Sequence, residues 1–322
     1  MARVGYFLSS EEFSPRELVA QAEMAQDAGF HALWISDHYH PWTGEQGEAG
    51  FAWATVGALS QAVDLPVTTA VTCPTVRMHP AVVAQAAATA AVLTGGRFTL
   101  GVGSGEALNE HILGDRWPAS TAVRLEMLEE AVEVIRRLWT GETVNHHGRF
   151  YTVEGARLYT LPPEPPRIFV SGFGPKAAAL AGRLGDGYVS TFPDADLVEA
   201  FRKGGGAGKP AQAGLKVCWG PDRTGAARTA HRLWAVELLP GELVQMLPLP
   251  AHFEQAAALV DQEAVAARFP CGNDPQEHLR AITEYFDAGY DEVYVGQMGP
   301  DQKGFFDFYA REILPQLAAP TE

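Results

Sequence analysis

Eight short apolar runs, rich in β-branched residues and separated by stretches of helical period, recur along almost the whole chain. That alternation restricts it to α/β architectures built around a parallel sheet. The runs are VGYFL at 4–8, ALWIS at 32–36, PVTTAVT at 66–72, RFTLGVG at 97–103, RIFVSG at 167–172, GYVST at 187–191, GLKVCW at 214–219 and DEVYVG at 291–296. Eight strands, each associated with a helix, is the count that closes a (β/α)8 TIM barrel. The phrase DAGFHALWIS at 27–36 returns as DAGYDEVYVG at 287–296, with GDGYVS at 185–190 a fainter echo. In each, a glycine ends a helix, an aromatic packs behind it and a strand begins, a repeated joint that favours a barrel over an open sheet. Ser14-Pro15-Arg16-Glu17 reads as a capping box with proline at the first helical position, and Gly29 as the left-handed cap at the other end.

The length of 322 residues suits either two domains or one large barrel, and the eight runs favour one unit over 1–322. Two long intervals, about 104–165 and 220–288, are insertions expected to cap the C-terminal mouth of the strands. The first carries a helix and a hairpin, ETVNHHGRFYTVEG, turning at His147-Gly148. The glycine-rich FRKGGGAGKP at 201–210 is expected to be a mobile connection. An apolar fraction of 47% supports a substantial core, while a formal charge of −15 disfavours nucleic acid and anionic membrane surfaces as partners. Cys73, Cys218 and Cys271 show no CxxC spacing and leave one thiol over in any disulfide scheme, so a reducing cytoplasm is expected. With no signal-length apolar segment at the start and no run of eighteen apolar residues, a soluble protein is expected.

A barrel would bring to one mouth Glu11 after the first run, Asp37, His38 and Trp42 after the second, Cys73 and Thr75 after the third, Ser104 and Glu106 after the fourth, and Ser171 to Lys176 after the fifth. In SDHYHPW at 36–42, an imidazole can take a proton from a hydroxyl near neutral pH, and a tryptophan offers a broad face to a flat ring or a developing cation. A loop histidine with a structural hydrogen bond is the alternative. Asp37 and His38, being adjacent, point to opposite sides of an extended segment, so Asp37 is expected to hold loop backbone or a cofactor. His38, His40, His146 and His147 lack carboxylates at HExxH spacing, and no metal site is expected. In GVGSGEALNEH at 101–111 the glycines allow close approach of backbone to a ligand, or merely permit a turn; GxGxxG is not met. VSGFGPKAAALAGRLGDG at 170–187 reads as strand, glycine turn and helix, a phosphate cradle with Lys176 or an ordinary βα turn.

Taken together, SDHYHPW, AVTCPT followed by HPAVVAQAAAT, GVGSGEALNEH and SGFGPKAA, in this order and spacing, closely resemble the bacterial luciferase-like superfamily. Within it the resemblance is to the deazaflavin-dependent branch that includes coenzyme F420-dependent glucose-6-phosphate dehydrogenase. It implies a (β/α)8 barrel, a homodimer, and coenzyme F420 held across the mouth. It implies that His38 removes a substrate hydroxyl proton as hydride passes to C5 of the deazaflavin, that Glu106 acts near ring N1, and that Trp42 steadies the reacting centre. Asp37, Ala70, Val71, Cys73, Ser104, Asn109, Ser171, Gly172, Phe173, Gly174, Pro175 and Lys176 would bind cofactor, Glu11 would face substrate, and the Ala70–Val71 peptide would be cis. Where sugar-phosphate enzymes of this branch carry two phosphate-binding lysines, this chain has Asp194 and Ala267, so an uncharged alcohol, sugar or lactol is the expected substrate. The alternatives are an FMN-dependent monooxygenase and a cofactor-binding protein without turnover.

Overall fold

The computed structural model describes residues 2–114 and 116–318. Ten strands form: β1 (Arg3–Leu8), β2 (Leu33–Ile35), β3 (Val67–Thr69), β4 (Phe98–Val102), β5 (Val144–His147), β6 (Thr152–Ala156), β7 (Arg167–Ser171), β8 (Gly187–Ser190), β9 (Ala211–Val217) and β10 (Glu292–Gln297). Eight of them close a barrel in the order β1-β10-β9-β8-β7-β4-β3-β2, with β5 and β6 set apart as an antiparallel hairpin. Every barrel pairing is parallel, so all eight C-terminal ends open on one mouth. The expected (β/α)8 TIM barrel is the observed fold.

The barrel fills by setting small residues against large ones. A Cβ on Gly5 would lie 2.4 Å from the Tyr294 ring, and one on Gly214 would lie 2.9 Å from the Trp34 ring. These two rings stack at 4.5 Å with 10° between their planes, inside a cluster completed by Phe7, Ala32, Phe169 and Val189. Gly101 is more restrictive still, because a Cβ there would sit 1.9 Å from the Thr69 carbonyl oxygen and part β3 from β4. Outward-facing strand residues pack on the surrounding helices in the largest core, in which Tyr6, Leu33, Leu100, Ile168 and Val293 take part. The helix Pro15–Ala28 carries the expected capping box, and Gly29 ends it at φ 95°.

Three local expectations change. The third run pairs over Val67–Thr69 only: the chain then passes through a cis peptide at Ala70–Val71, as the resemblance implies, and touches β4 again at Thr72. The seventh run starts at Ala211 and ends at Val217, because register with β10 begins at Gln212 opposite Glu292. FRKGGGAGKP is a close-packed helix contact, contrary to the mobile connection expected. The helix Ala195–Phe201 runs on through a π-turn at Arg202–Gly206, and a Cβ on Gly204 would meet the Ala179 carbonyl at 2.4 Å. Lys209 Nζ donates to the Gly182 and Gly185 carbonyls at 2.7 and 2.9 Å, closing the end of the neighbouring helix Pro175–Leu184. Gly204 and Gly206 are there for approach distance, and Gly205 and Gly208 for positive φ.

Both insertions bear on the mouth. Between β4 and β7 lie the short helix Ala107–Glu110, the long helix Thr121–Leu138 and the β5–β6 hairpin. Between β9 and β10, the helix Pro250–Ala257 clamps the loop after β2: Gly44 N donates to Glu254 Oε1 at 2.8 Å, and Phe253 packs edge-on against Trp42 at 5.2 Å.

Candidate active site

The loop that follows β2 turns His38 toward two carboxylates. Its Nδ1 lies 3.1 Å from the His40 carbonyl, which can only accept, so Nδ1 carries a proton and Nε2 is the nitrogen turned to the carboxylates. Nε2 stands 3.3 Å from Glu11 Oε1 and 3.6 Å from Glu106 Oε1, and the side chain is 11% exposed. The Trp42 ring lies 4.9 Å from the imidazole and is backed by Phe253, so one side of His38 is walled by aromatic surface. An imidazole whose outer nitrogen stands between two carboxylates is arranged to be stabilised once it has taken a proton there.

Glu11 stands behind that nitrogen. Its Oε2 accepts from the Ser36 and Ser9 hydroxyls at 2.7 and 2.8 Å, leaving Oε1 to face His38. Burial alone would raise its pKa, but the His38 charge, the Ser36 hydroxyl and Lys216 outweigh burial and hold the group below the usual carboxylate range. Glu11 was expected to face substrate. It is 2% exposed, and its free oxygen is turned to His38.

Glu106 flanks the same nitrogen from the β4 tip, at the start of the helix Ala107–Glu110. Asn109 braces the two tips together: its Nδ2 donates to Glu106 Oε1 at 2.5 Å, and its Oδ1 accepts from the Tyr39 and His40 amides at 2.8 and 3.2 Å. The side chain of Asp37 turns inward. One oxygen accepts from Thr72 at 2.7 Å and the other pairs with Arg77 at 2.9 Å, fixing the loops after β2 and β3 to each other. Of the two roles expected for Asp37, holding the loop is the one visible in these contacts.

Gly103, one residue past β4, is where the remaining tips converge. A Cβ there would lie 2.7 Å from Val71 Cγ2, 3.6 Å from Cys73 Sγ and 3.9 Å from Ser171 Cβ, so its absence leaves a shallow cradle between β3, β4 and β7. Ala70, Val71, Ser104 and Ser171 are half-buried around it, while Cys73 is buried, with its thiol pKa well raised by burial and then by Glu106 and Glu110. Beyond Ser171, the helix Pro175–Leu184 begins at Gly174 without a side-chain cap, leaving first-turn amides free beside exposed Lys176. Gly172 is a close-approach position, since a Cβ would sit 2.7 Å from the Ala177 backbone. Phe173 is 48% exposed and packs edge-on against Phe192 at 6.0 Å. A flat ring across the Gly103 cradle with a phosphate at the uncapped helix start fits these residues.

Sequence reasoning found His38, Trp42 and Glu106 but missed several groups that hold them. Ser36, next to Asp37 at the strand tip, and Glu110, the second acid of GEALNE, lie inside motifs already singled out and were findable. Phe253 and Glu254 sit in a distant insertion with no local signal. Asp194 caps the helix Ala195–Phe201, accepting from the Asp196 and Leu197 amides at 2.9 and 3.2 Å, and Ala267 is exposed on the helix Gln262–Arg268.

The family described as luciferase-like monooxygenase matches residues 1–292. An F420-dependent glucose-6-phosphate dehydrogenase of Beutenbergia cavernae is 37% identical, covering 99% of this chain and 98% of that one. An F420-dependent hydroxymycolic acid dehydrogenase of Mycobacterium tuberculosis is also 37% identical, over 98% of this chain and 88% of that one. Among solved structures, an F420-dependent secondary alcohol dehydrogenase in complex with an F420-acetone adduct superposes with a TM-score of 0.91 at 32% identity, covering 99% of both chains. The barrel, the clustered strand tips and these full-length likenesses agree: the chain belongs to the luciferase-like family.

Proposed function

We propose that the chain is a coenzyme F420-dependent oxidoreductase, exchanging a hydride between an uncharged alcohol- or sugar-type carbon and C5 of the deazaflavin. The observation that carries this reading is His38 Nε2, set between the Glu11 and Glu106 carboxylates at 3.3 and 3.6 Å. Bound across the Gly103 cradle, the deazaflavin supplies a hydride-accepting or hydride-donating carbon. His38 takes the substrate hydroxyl proton at Nε2, and the buried Glu11 carboxylate stabilises the resulting imidazolium. Glu106 exchanges a proton at the ring edge. Trp42, pressed on Phe253, keeps water from the reacting carbon. Val71, Cys73, Ser104, Asn109 and the Ser171–Lys176 turn hold the cofactor, and the free amides after Gly174 take its phosphate.

Two features support an uncharged substrate despite relatives named for glucose 6-phosphate. Asp194 is a helix cap whose charge repels a phosphate, and Ala267 brings no charge. The reading includes a second copy of the chain as partner: Val82, Val92 and Leu93 are exposed on the almost wholly apolar helix Pro80–Leu93, next to Phe51, which opens the helix packed against it. It includes a cytoplasmic location, supported by three buried free thiols. Among the described residues no helix is long and apolar enough to cross a membrane.

The test is a fluorescence titration of the purified chain with F420 and with FMN, followed by neutral alcohols and phosphorylated sugars at saturating cofactor. Binding of F420 in preference to FMN, with turnover of neutral alcohols, is expected. Preference for FMN with oxygen consumption supports the monooxygenase alternative instead, and saturation by phosphorylated sugars alone overturns the substrate class. Binding without turnover of any substrate leaves a cofactor-binding protein.

A further inference from the structure

Glu110 has no part in the reaction above, yet it is 0% exposed at the end of the short helix that begins just after Glu106. Its Oε2 accepts from the Arg77 and Val76 amides at 2.6 and 3.0 Å, with the Thr75 hydroxyl at 3.4 Å. Its Oε1 has no hydrogen-bond partner among the described residues. The nearby cation gives its side-chain hydrogen bonds to Asp37: Arg77 Nη2 donates to the carboxylate at 2.9 Å and to the carbonyl at 3.2 Å, while Arg77 Nε has no partner among the described residues.

The charged and titratable groups around Glu110 are Arg77 and Cys73 from the loop after β3, with Asp37 behind Arg77, Glu106 from its own helix, and Tyr151 from the β5–β6 hairpin. Glu110 is therefore one of three neighbouring carboxyl groups, with Asp37 held by Arg77 and Glu106 at the N-cap of its own helix. Two of them have compensation, Asp37 in its ion pair and Glu106 in its partial exposure of 24%. Glu110 has neither. A buried carboxylate with one oxygen unsatisfied and no cation of its own is costly, whereas a carboxylic acid accepts the amides on one oxygen and carries its proton on the other. Burial first, and Glu106 in addition, push the group up to about 7 against the pull of Arg77 and the two amides.

We propose that Glu110 is the proton-bearing half of a Glu106–Glu110 pair, keeping the charge beside the ring site at one carboxylate and adding a second when the pH rises. It acts through Glu106 as a positioning residue, since Glu106 is the N-cap residue of the short helix that Glu110 ends and its charge acts on Glu110. The inference rests on the reading of Glu106 as the group at the ring edge, but the proton itself is measurable without cofactor.

The first measurement is infrared spectroscopy of the full chain alone, titrated from about pH 5 to about pH 9. Protonated-carboxyl absorption is expected at the acid end, fading through neutrality, with one component lost in Glu110→Gln and still present in Glu12→Gln, which removes the other buried acid raised to about 7. A spectrum with no band that Glu110→Gln removes overturns the proposal. The second is F420 affinity against pH. The wild type is expected to weaken several-fold above neutrality, and Glu110→Gln, which keeps an oxygen for the two amides, is expected to lose that fall. A variant weakened equally at every pH would show a merely structural residue and also overturns it. Should the chain bind neither tricycle, the infrared result still decides the fate of Glu110, and only the reading of the site is lost.

Discussion

Glu292 at the floor of this barrel and Glu12 and Glu110 at its mouth are buried carboxyl groups treated in opposite ways. At the floor, where the strands begin, Glu292 opens β10 with its side chain 8% exposed. Oε2 accepts from Gln212 and Tyr294, each at 2.8 Å, and Oε1 pairs with Arg3 at 2.8 Å. His31 Nε2 stands 3.6 Å off, beyond hydrogen-bond reach but close enough to attract as a cation. Burial raises the group, and His31, Tyr294 and Arg3 more than reverse it, bringing it down to about 2. At the mouth, Glu12 and Glu110 receive backbone or indole donors but no full cation, and burial lifts both to about 7. Burial acts upward at both ends, so the partners decide the outcome. The floor gives its donors to one fixed charge and gains stability; the mouth gives donors and cations to Glu11 and Asp37 but leaves Glu12 and Glu110 without a cation of their own, as groups that exchange protons near neutrality.

The largest effect that tests this division is at His38. His38→Ala is expected to lower turnover by about 10²–10⁴-fold while leaving F420 affinity and the melting temperature nearly unchanged. Turnover within a few-fold of wild type would remove His38 as the base, and an equally large fall in stability would erase the contrast between the ends.

The floor should behave in the reverse manner. Glu292 has a folded pKa of about 2, below the ordinary value of 4.5, so its contribution is full above about pH 4.5 and drains away as pH falls toward 2. Glu12 and Glu110, raised to about 7, have the other sign: the folded state binds the extra protons, so stability falls as pH rises from about 4.5 through 7. Glu292→Gln is expected to cost roughly 2–3 kcal/mol at neutral pH and to flatten the acid limb of a denaturation series, with turnover per folded molecule preserved. An unaltered acid limb would mean that the Glu292 cluster carries no net stability.

What could be read in advance divides along a related line. The strands announced themselves because eight apolar runs repeat a local period, and Ser14, Pro15 and Gly29 mark helix ends by chemistry that acts within a few residues. His38, Trp42 and Glu106 were legible because a barrel sends every strand tip to one mouth. The failures are those that depend on a partner remote in sequence. Nothing near Gly204 indicates that the Ala179 backbone lies against it, so FRKGGGAGKP read as a loose connection. Nothing near Glu11 says that Ser36 and His38 enclose it, and nothing in the Pro250–Ala257 helix points to Trp42. Asp37 shows the same limit: its alternation with His38 was readable, but Arg77 and Thr72, which receive it, were not.

Asn109 lies between the extremes, because it positions the mouth without touching a reacting atom. Removing its side chain frees the Tyr39 and His40 amides, and the His40 carbonyl is what fixes the proton on His38 Nδ1. Asn109→Ala should reduce kcat about ten-fold, one displaced hydrogen bond's worth of orientation, with a stability loss of about 1 kcal/mol. A change confined to stability would assign Asn109 to packing alone.

The smallest effects come from one exposed cation at each end. Arg3 is 59% exposed where it meets Glu292, and Lys176 is exposed beside the uncapped start of the helix Pro175–Leu184. Solvent screens both, so each is worth less than about 1 kcal/mol. Lys176→Ala should weaken F420 about two- to five-fold at low salt, with the difference fading as ionic strength rises, and leave the melting temperature unchanged. Arg3→Ala should lower stability slightly, to a degree that also fades with salt, and leave F420 affinity unchanged. Because the two substitutions remove the same charge at similar exposure, a crossed result, with Lys176 governing stability or Arg3 governing affinity, would show that the barrel does not separate its two ends as their carboxylates suggest.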